Sequence, residues 1–294
     1  MKYSFFPGCT MSGTAVEYRK SLGLVNKIIG LELLEIPDWN CCGATAGHST
    51  SNELGIALPA RNIALCEREG LNLPIAVACA ACYSRLCHAS YQLRSSNEQR
   101  EKYERLIEMP IKGTLDVISI LDVYQSSEVR TAIGQAVKKP LKGLRVACYY
   151  GCLYVRPSRV TGADKIENPV QMDEIIRLAG CDPVQWSYKT ECCGGSHHID
   201  LPKHSRPLVR RILQNARASG AQAIASACPL CMMNLDMRQR QVNRDYNEDF
   251  DIPIFFFTEL LALSMGADVK SAGVSTHFHP AAKLANNALA GRVG

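Results

Sequence analysis

The chain lacks an apolar run long enough to cross a bilayer. Its longest, Ile252 to Met265, is interrupted by Glu259 and falls short of the roughly 20 residues a spanning helix needs. The opening residues, MKYSFFPGCT, have neither the extended apolar segment nor the small-residue cleavage site of an export signal, so a reducing, cytoplasmic setting is expected. A basic stripe is also missing: 33 basic and 28 acidic residues are scattered along the chain, giving a net charge of +5, with one small cluster at Lys138, Lys139 and Lys142. Nucleic-acid binding wants clustered charge or a recognition motif, and neither is present. Nothing in the sequence looks like a flavin or nicotinamide site, so any electrons the protein handles come from elsewhere.

What is abundant is cysteine, 14 in 294 residues. With 47% hydrophobic residues the chain can build a real core. It shows no sign of the small disulfide scaffold that dense cysteine marks in secreted domains. The thiols need another explanation.

The same three cysteine blocks occur twice, in the same order. The first copy reads Pro7-Gly8-Cys9, Cys41-Cys42-Gly43 and then Cys79-Ala80-Ala81-Cys82; the second reads Tyr150-Gly151-Cys152, Cys192-Cys193-Gly194 and then Cys228-Pro229-Leu230-Cys231. The blocks are separated by 31 and 36 residues in one copy and by 39 and 34 in the other. Constant blocks with variable spacers are the pattern of a duplicated domain. The segment KKPLKG at Lys138 to Gly143 suits the boundary, giving domains of 1–140 and 141–294.

Within each copy β-rich runs alternate with helical ones. The first has strands at YSFFPG, LELLEIP and PIAVAC, helices near Ala15 to Ile29 and Glu53 to Glu69, and a last strand at Leu115 to Ile120. The second repeats this with LRVACYYG, DPVQWS and AIASAC, helices near Val170 to Leu178 and Leu208 to Ala218, and a last strand at Ile254 to Phe257. Such alternation predicts an α/β fold of two pseudo-symmetric domains, each a small parallel sheet flanked by helices. Every cysteine block then starts close to a strand's C-terminal end, where open α/β sheets bind ligands.

Five thiols at one sheet edge point to a soft metal: zinc, copper(I) or an iron–sulfur cluster. Zinc usually closes with four ligands in two pairs, whereas each copy offers one Cys-x-x-Cys pair, one adjacent pair and one isolated cysteine. Adjacent cysteines aim their side chains in different directions, which suits a multi-iron body better than a single ion. The glycines after each adjacent pair, Gly43 and Gly194-Gly195, allow a tight turn and offer N–H groups to sulfur.

FFPGC, NCCGATAGH, YYGCLYVRP and ECCGGSHH, with the spacing Cys-x(31–39)-Cys-Cys-x(34–36)-Cys-x-x-Cys, resemble the CCG domains of the heterodisulfide reductase B-subunit family, twice over nearly the whole chain. The 34-residue interval after Cys193 is slightly short for that pattern, as a loop difference would make it. The resemblance implies two non-cubane 4Fe-4S clusters, one held by Cys9, Cys41, Cys42, Cys79 and Cys82, the other by Cys152, Cys192, Cys193, Cys228 and Cys231. It further implies reduction of a disulfide, such as the mixed disulfide of coenzymes M and B, bound where the clusters face each other across the domain interface. An iron–sulfur C subunit and a flavin-containing A subunit are the implied partners. Two alternatives remain open: a CCG-type electron-transfer subunit of a succinate, fumarate, lactate or glycolate oxidoreductase, and a structural zinc protein.

The remaining polar candidates are weaker. Cys66, Cys87, Cys148 and Cys181 lie outside the blocks and are expected to pack as small hydrophobes. His48, His197 and His198 follow the cysteine pairs and are candidates for proton donors to a departing thiolate, or plain loop residues. Arg156, Arg159 and Lys189 are candidates for holding anionic substrate groups, or solvated surface charges.

Overall fold

The computed structural model describes residues 1–197 and 200–293. Among them two separate four-stranded parallel sheets form. The first joins β1 (Lys2–Phe6), β2 (Glu32–Glu35), β3 (Ile75–Val77) and β4 (Val117–Ser119) in the order β2-β1-β3-β4. The second joins β5 (Arg145–Tyr149), β6 (Asp182–Pro183), β7 (Ala223–Ser226) and β8 (Ile254–Phe256) in the order β6-β5-β7-β8. The two orders are the same, so the α/β fold and the duplication expected from the sequence are both present. Helices flank each sheet, which is why the inner strands are largely apolar: every residue of β3 and β7 is buried, and only the first residues of β1 and β5, Lys2 and Arg145, are exposed. The edges differ. β2 reads Glu-Leu-Leu-Glu with both glutamates exposed, and β6 ends in Pro183, whose missing N–H an edge tolerates.

The expected helices are found at Val16–Ile29, Asn52–Arg68 and Gln171–Leu178. The helix expected from Leu208 starts earlier, at Pro202, and carries Pro207 inside it. Burial of Val209, Ile212, Leu213 and Ala216 along one face outweighs the proline's cost. Two helices not expected from the sequence, Ala80–Ser95 and Pro229–Met237, begin inside the Cys-x-x-Cys blocks themselves.

The halves meet through aromatic and hydroxyl contacts. Helix Val16–Ile29 packs on helix Phe257–Ser264, with Ser21 Oγ 2.7 Å from Thr258 Oγ1 and the Tyr18 ring stacked on Phe256 at 4.1 Å. On the other side Tyr83 OH donates to Thr161 O at 2.9 Å, and Ser119 Oγ donates to Tyr154 OH at 3.1 Å. Among the described residues no helix is long and apolar enough to cross a membrane.

Candidate metal centres

In each half two of the cysteine blocks follow directly on inner strands: Cys9 after β1, Cys79 after β3, Cys152 after β5 and Cys228 after β7. β1 and β3 are neighbours, as are β5 and β7. Each pair of blocks therefore sits where the strand order reverses, the crevice in which open α/β sheets hold their ligands. The adjacent pairs reach the same place from the edge strands, Cys192-Cys193 only after a longer irregular segment beyond β6. In the first half Cys41 Sγ lies 3.9 Å from Cys9 Sγ, and Cys42 Sγ lies 3.2 Å from Cys82 Sγ. In the second, Cys193 Sγ lies 3.6 Å from Cys231 Sγ.

The backbone is shaped around these sulfurs. Gly43 N–H points at Cys41 Sγ at 3.5 Å, and Gly194 N–H points at Cys192 Sγ at 3.3 Å. Cys79 and Cys228 each cap a helix N-terminus, with Cys82 and Cys231 in the first turn, where free N–H groups and the helix dipole favour a thiolate. Gly8 and Gly151 hold equivalent places with φ of 75° and 73°. A Cβ there would stand 3.0 Å from Cys82 Sγ and 3.1 Å from Cys231 Sγ respectively. Only glycine gives both the dihedral and the room.

Crowding divides the thiols electrostatically. Hydrogen bonds from Cys42 and Cys9 hold Cys41 far below the ordinary thiol range, at about 2. Cys42 is pushed up to about 12, chiefly by its bond to Cys41. In the second half the bond from Cys152 lowers Cys192 to about 6. Bonds to Cys42 and Cys79 and burial raise Cys82, and Cys193, Cys228 and burial act likewise on Cys231. One thiolate per neighbourhood makes the next costly, so a full set of five wants positive charge among the sulfurs. Among the described residues no three or more His, Cys, Asp or Glu side chains converge on a single-ion position. The donors come instead as sulfur pairs around a glycine-lined cradle, the pattern of ligands to a body of several metal atoms, and iron–sulfur groups are held by such thiolates. The residues present fit that group.

All five cysteines of the second set line one cavity of about 230 Å³, whose facing wall is Ala44, His48, Ala80, Ala81 and Arg85 from the first half. His48 and His197 both line it, and His197 Nδ1 lies 3.4 Å from Asp200 Oδ2. His198 lies outside the described residues. Arg85 has no place among the sequence candidates, although its position one turn after Cys82 is a signal that the sequence carries.

Two of the three cationic candidates are already engaged. Lys189 is neither solvated nor open to a substrate: its side chain and that of Asp173 are each 1% exposed, with Nζ 2.8 Å from Asp173 Oδ1 and 3.1 Å from Pro169 O. Arg156 donates to Thr190 O at 2.7 Å and to Glu167 Oε1 at 2.8 Å. Arg159 is exposed. Cys66, Cys87, Cys148 and Cys181 are all buried in the hydrophobic core, and burial raises each of their pKa values.

The family model for the cysteine-rich domain, CCG, matches this chain twice, at residues 3–87 and 146–236. The chain belongs to the cysteine-rich CCG family. Among CCG relatives, the 8-methylmenaquinol:fumarate reductase membrane anchor subunit of Wolinella succinogenes is 30% identical over 96% of this chain and 99% of its own. The B subunit of the ferredoxin/F420H2-dependent CoB-CoM heterodisulfide reductase of Methanosarcina acetivorans is 28% identical over 93% of this chain and 92% of its own. Both are similar to this CCG protein from end to end. Among solved structures, a hypothetical protein from Helicobacter pylori superposes with a TM-score of 0.72 at 12% identity, over 95% of this chain. The chain spans 52% of that protein's length, and the likeness concerns the fold alone.

Proposed function

We propose that this CCG protein is the disulfide-reducing subunit of a heterodisulfide reductase-type complex. Two non-cubane 4Fe-4S clusters would be held by Cys9, Cys41, Cys42, Cys79 and Cys82 and by Cys152, Cys192, Cys193, Cys228 and Cys231. The observation that carries this reading is the meeting of the two cysteine sets across the interface, Cys79 Sγ 3.8 Å from Cys228 Sγ, beside a cavity lined by the second set. Cleaving a disulfide to two thiols consumes two electrons and two protons. When bound, clusters of this kind supply the electrons singly and offer soft iron to sulfur. The chain's part is to bring the two donor sets together, shape the cavity and place His48 and His197 at its wall as proton donors. Electrons arrive from an iron–sulfur C subunit fed by a flavin-containing A subunit, in the cytoplasm. The boundary at 140/141 is favoured by its place between helix Ser127–Ala136, the last of the first half, and β5.

A second reading, electron relay in a quinol:fumarate reductase system, is favoured by the Wolinella succinogenes relative, which matches over 99% of its length. The deciding experiment is anaerobic purification, iron and sulfide analysis, and titration of the reduced protein with small disulfides. About eight irons per chain and disulfide-dependent cluster spectra support the reductase. The same iron with spectra indifferent to any disulfide favours the relay, and zinc in place of iron overturns both.

A further inference from the structure

The cavity beside the second cysteine set has a cationic wall contributed by the other half of the molecule. Arg85 stands in helix Ala80–Ser95 three residues after Cys82, on the same side of the helix, and lines the cavity. It is half-buried, burial lowers its pKa and the Cys42 charge pulls it back up. Among the described residues its guanidinium has no hydrogen-bonding or ion-pair partner, unlike Arg61, Arg94, Arg130 and Arg156. The equivalent place in the second half, three residues after Cys231, holds Asn234, which is fully buried and donates to Cys193 O at 2.6 Å. One copy thus has an internal brace where the other has an open cation. Among the described residues no aspartate or glutamate lines the cavity, and its other titratable side chains besides cysteine are His48 and His197.

We propose that Arg85, on the wall facing the second cysteine set, recognises an anionic group, a carboxylate, sulfonate or phosphate, on a disulfide that enters beside the group those cysteines hold, and so seats its sulfurs toward that group. This rests on the disulfide-reductase reading above. A half-desolvated guanidinium without a partner is costly, and an oxyanion repays it with a charge-assisted, two-point contact. Specificity follows from the same contact: a neutral disulfide enters the same place but leaves Arg85 unpaired, while an anionic one pairs it.

The test uses anaerobically purified, cluster-containing protein as wild type, Arg85→Gln and Arg85→Lys. Two probes of similar length are compared: dithiodipropionate, with a carboxylate at each end, and neutral hydroxyethyl disulfide. Binding is read without turnover, from the visible and electron-paramagnetic-resonance spectra of the clusters, and KM and kcat are then measured with a reductant. Arg85→Gln is expected to weaken dithiodipropionate about tenfold, the size of one charge-assisted contact, and to leave hydroxyethyl disulfide within about twofold. Arg85→Lys recovers part of the loss, because it keeps the charge but not the fork. Equal weakening of both probes, or none for the anionic one, overturns the proposal. So does a shifted cluster potential in probe-free Arg85→Gln with dithiodipropionate binding unchanged, since Arg85 then serves only the cluster's charge. Failure of the underlying reading looks different: wild-type spectra respond to neither probe, and both proposals fall together.

Discussion

Cys79 Sγ lies 3.8 Å from Cys228 Sγ, although 149 positions separate them in the chain. Each is the first cysteine of its Cys-x-x-Cys and caps the helix that follows it. This approach of the two donor sets is therefore made by equivalent residues, and would offer electrons a short path between groups bound on either side. The interface around it is buried and aromatic, with Tyr18 OH donating to Ala227 O, next to Cys228.

The proposed ligand sets make a quantitative demand on iron. Cys41→Ser and Cys192→Ser, each in a different set and each exposed, are expected to lose one group apiece, leaving about four of about eight irons. Cys66→Ser, in the core but outside both sets, keeps its iron while losing thermal stability. Iron and acid-labile sulfide on anaerobically purified variants decide the matter. Full iron content in Cys41→Ser and Cys192→Ser would remove these residues from the ligand sets.

Gly8→Ala adds a Cβ 3.0 Å from Cys82 Sγ at a φ of 75°. With ψ at 157° the backbone lies in a region essentially reserved for glycine and costs any other residue about 1–3 kcal/mol, and the displaced sulfur should cost the first set its bound group as well. Gly30→Ala is the control: its φ is 70°, but the added Cβ meets nothing within 4 Å. Only the dihedral cost of about 1–2 kcal/mol is then expected. Equal iron content in the two variants would mean that the close approach at Gly8 does not matter.

The buried pair Lys189–Asp173 holds the loop before Cys192. Lys189 O accepts from Tyr150 N and Gly151 N at 2.9 and 3.1 Å, so this residue ties β5 to the segment carrying the adjacent cysteines. Lys189→Met strands a buried carboxylate and is expected to cost about 3–5 kcal/mol. Lys189→Met with Asp173→Leu should recover part of it, because no unpaired charge is left behind. Chemical denaturation of the three proteins reads the difference, and no recovery in the double variant would argue against the pair as the source of the loss.

Stability should fall as pH rises, through a buried cluster at the interface of the halves. Glu17 from the first half faces Asp236, Glu259 and His277 from the second, with His279 near Asp236. His277 Nε2 lies 2.8 Å from Glu259 Oε1. Burial alone would lower the His277 pKa, but Glu259, then Asp236 and Glu17, outweigh it and raise the net value. Burial raises Glu259, Asp236 and Glu17. All four groups hold protons more tightly folded than unfolded. Their contribution is thus intact at low pH, begins to fall above the carboxylate range, and is lost as pH climbs past the ordinary histidine value of about 6.5 and through the raised one. Glu259→Gln removes one raised carboxylate and the main support of His277, so its midpoint of thermal unfolding should vary less with pH than that of wild type. An unchanged slope would show that the cluster does not govern it.

The sequence alone carried the duplication, the α/β class, the placing of the strands and the grouping of cysteines at strand ends, because each is local: apolar runs of strand length, helical spacing and blocks repeated in order. The cysteine pairs with their glycines were legible for the same reason, since Gly43 and Gly194 act on sulfurs only two residues away. Long-range facts were not. Lys189 looked like a surface cation because burial depends on Asp173 and on the strands that enclose both. Arg85 was no candidate because neither its helix nor the packing of one half against the other, which brings it to the cavity of the second set, is written locally. Which thiols meet across the interface was likewise decided by the tertiary structure, since local pattern sets the form of each half, while the contact between halves arises from apolar and hydroxyl surfaces brought together from distant parts of the chain.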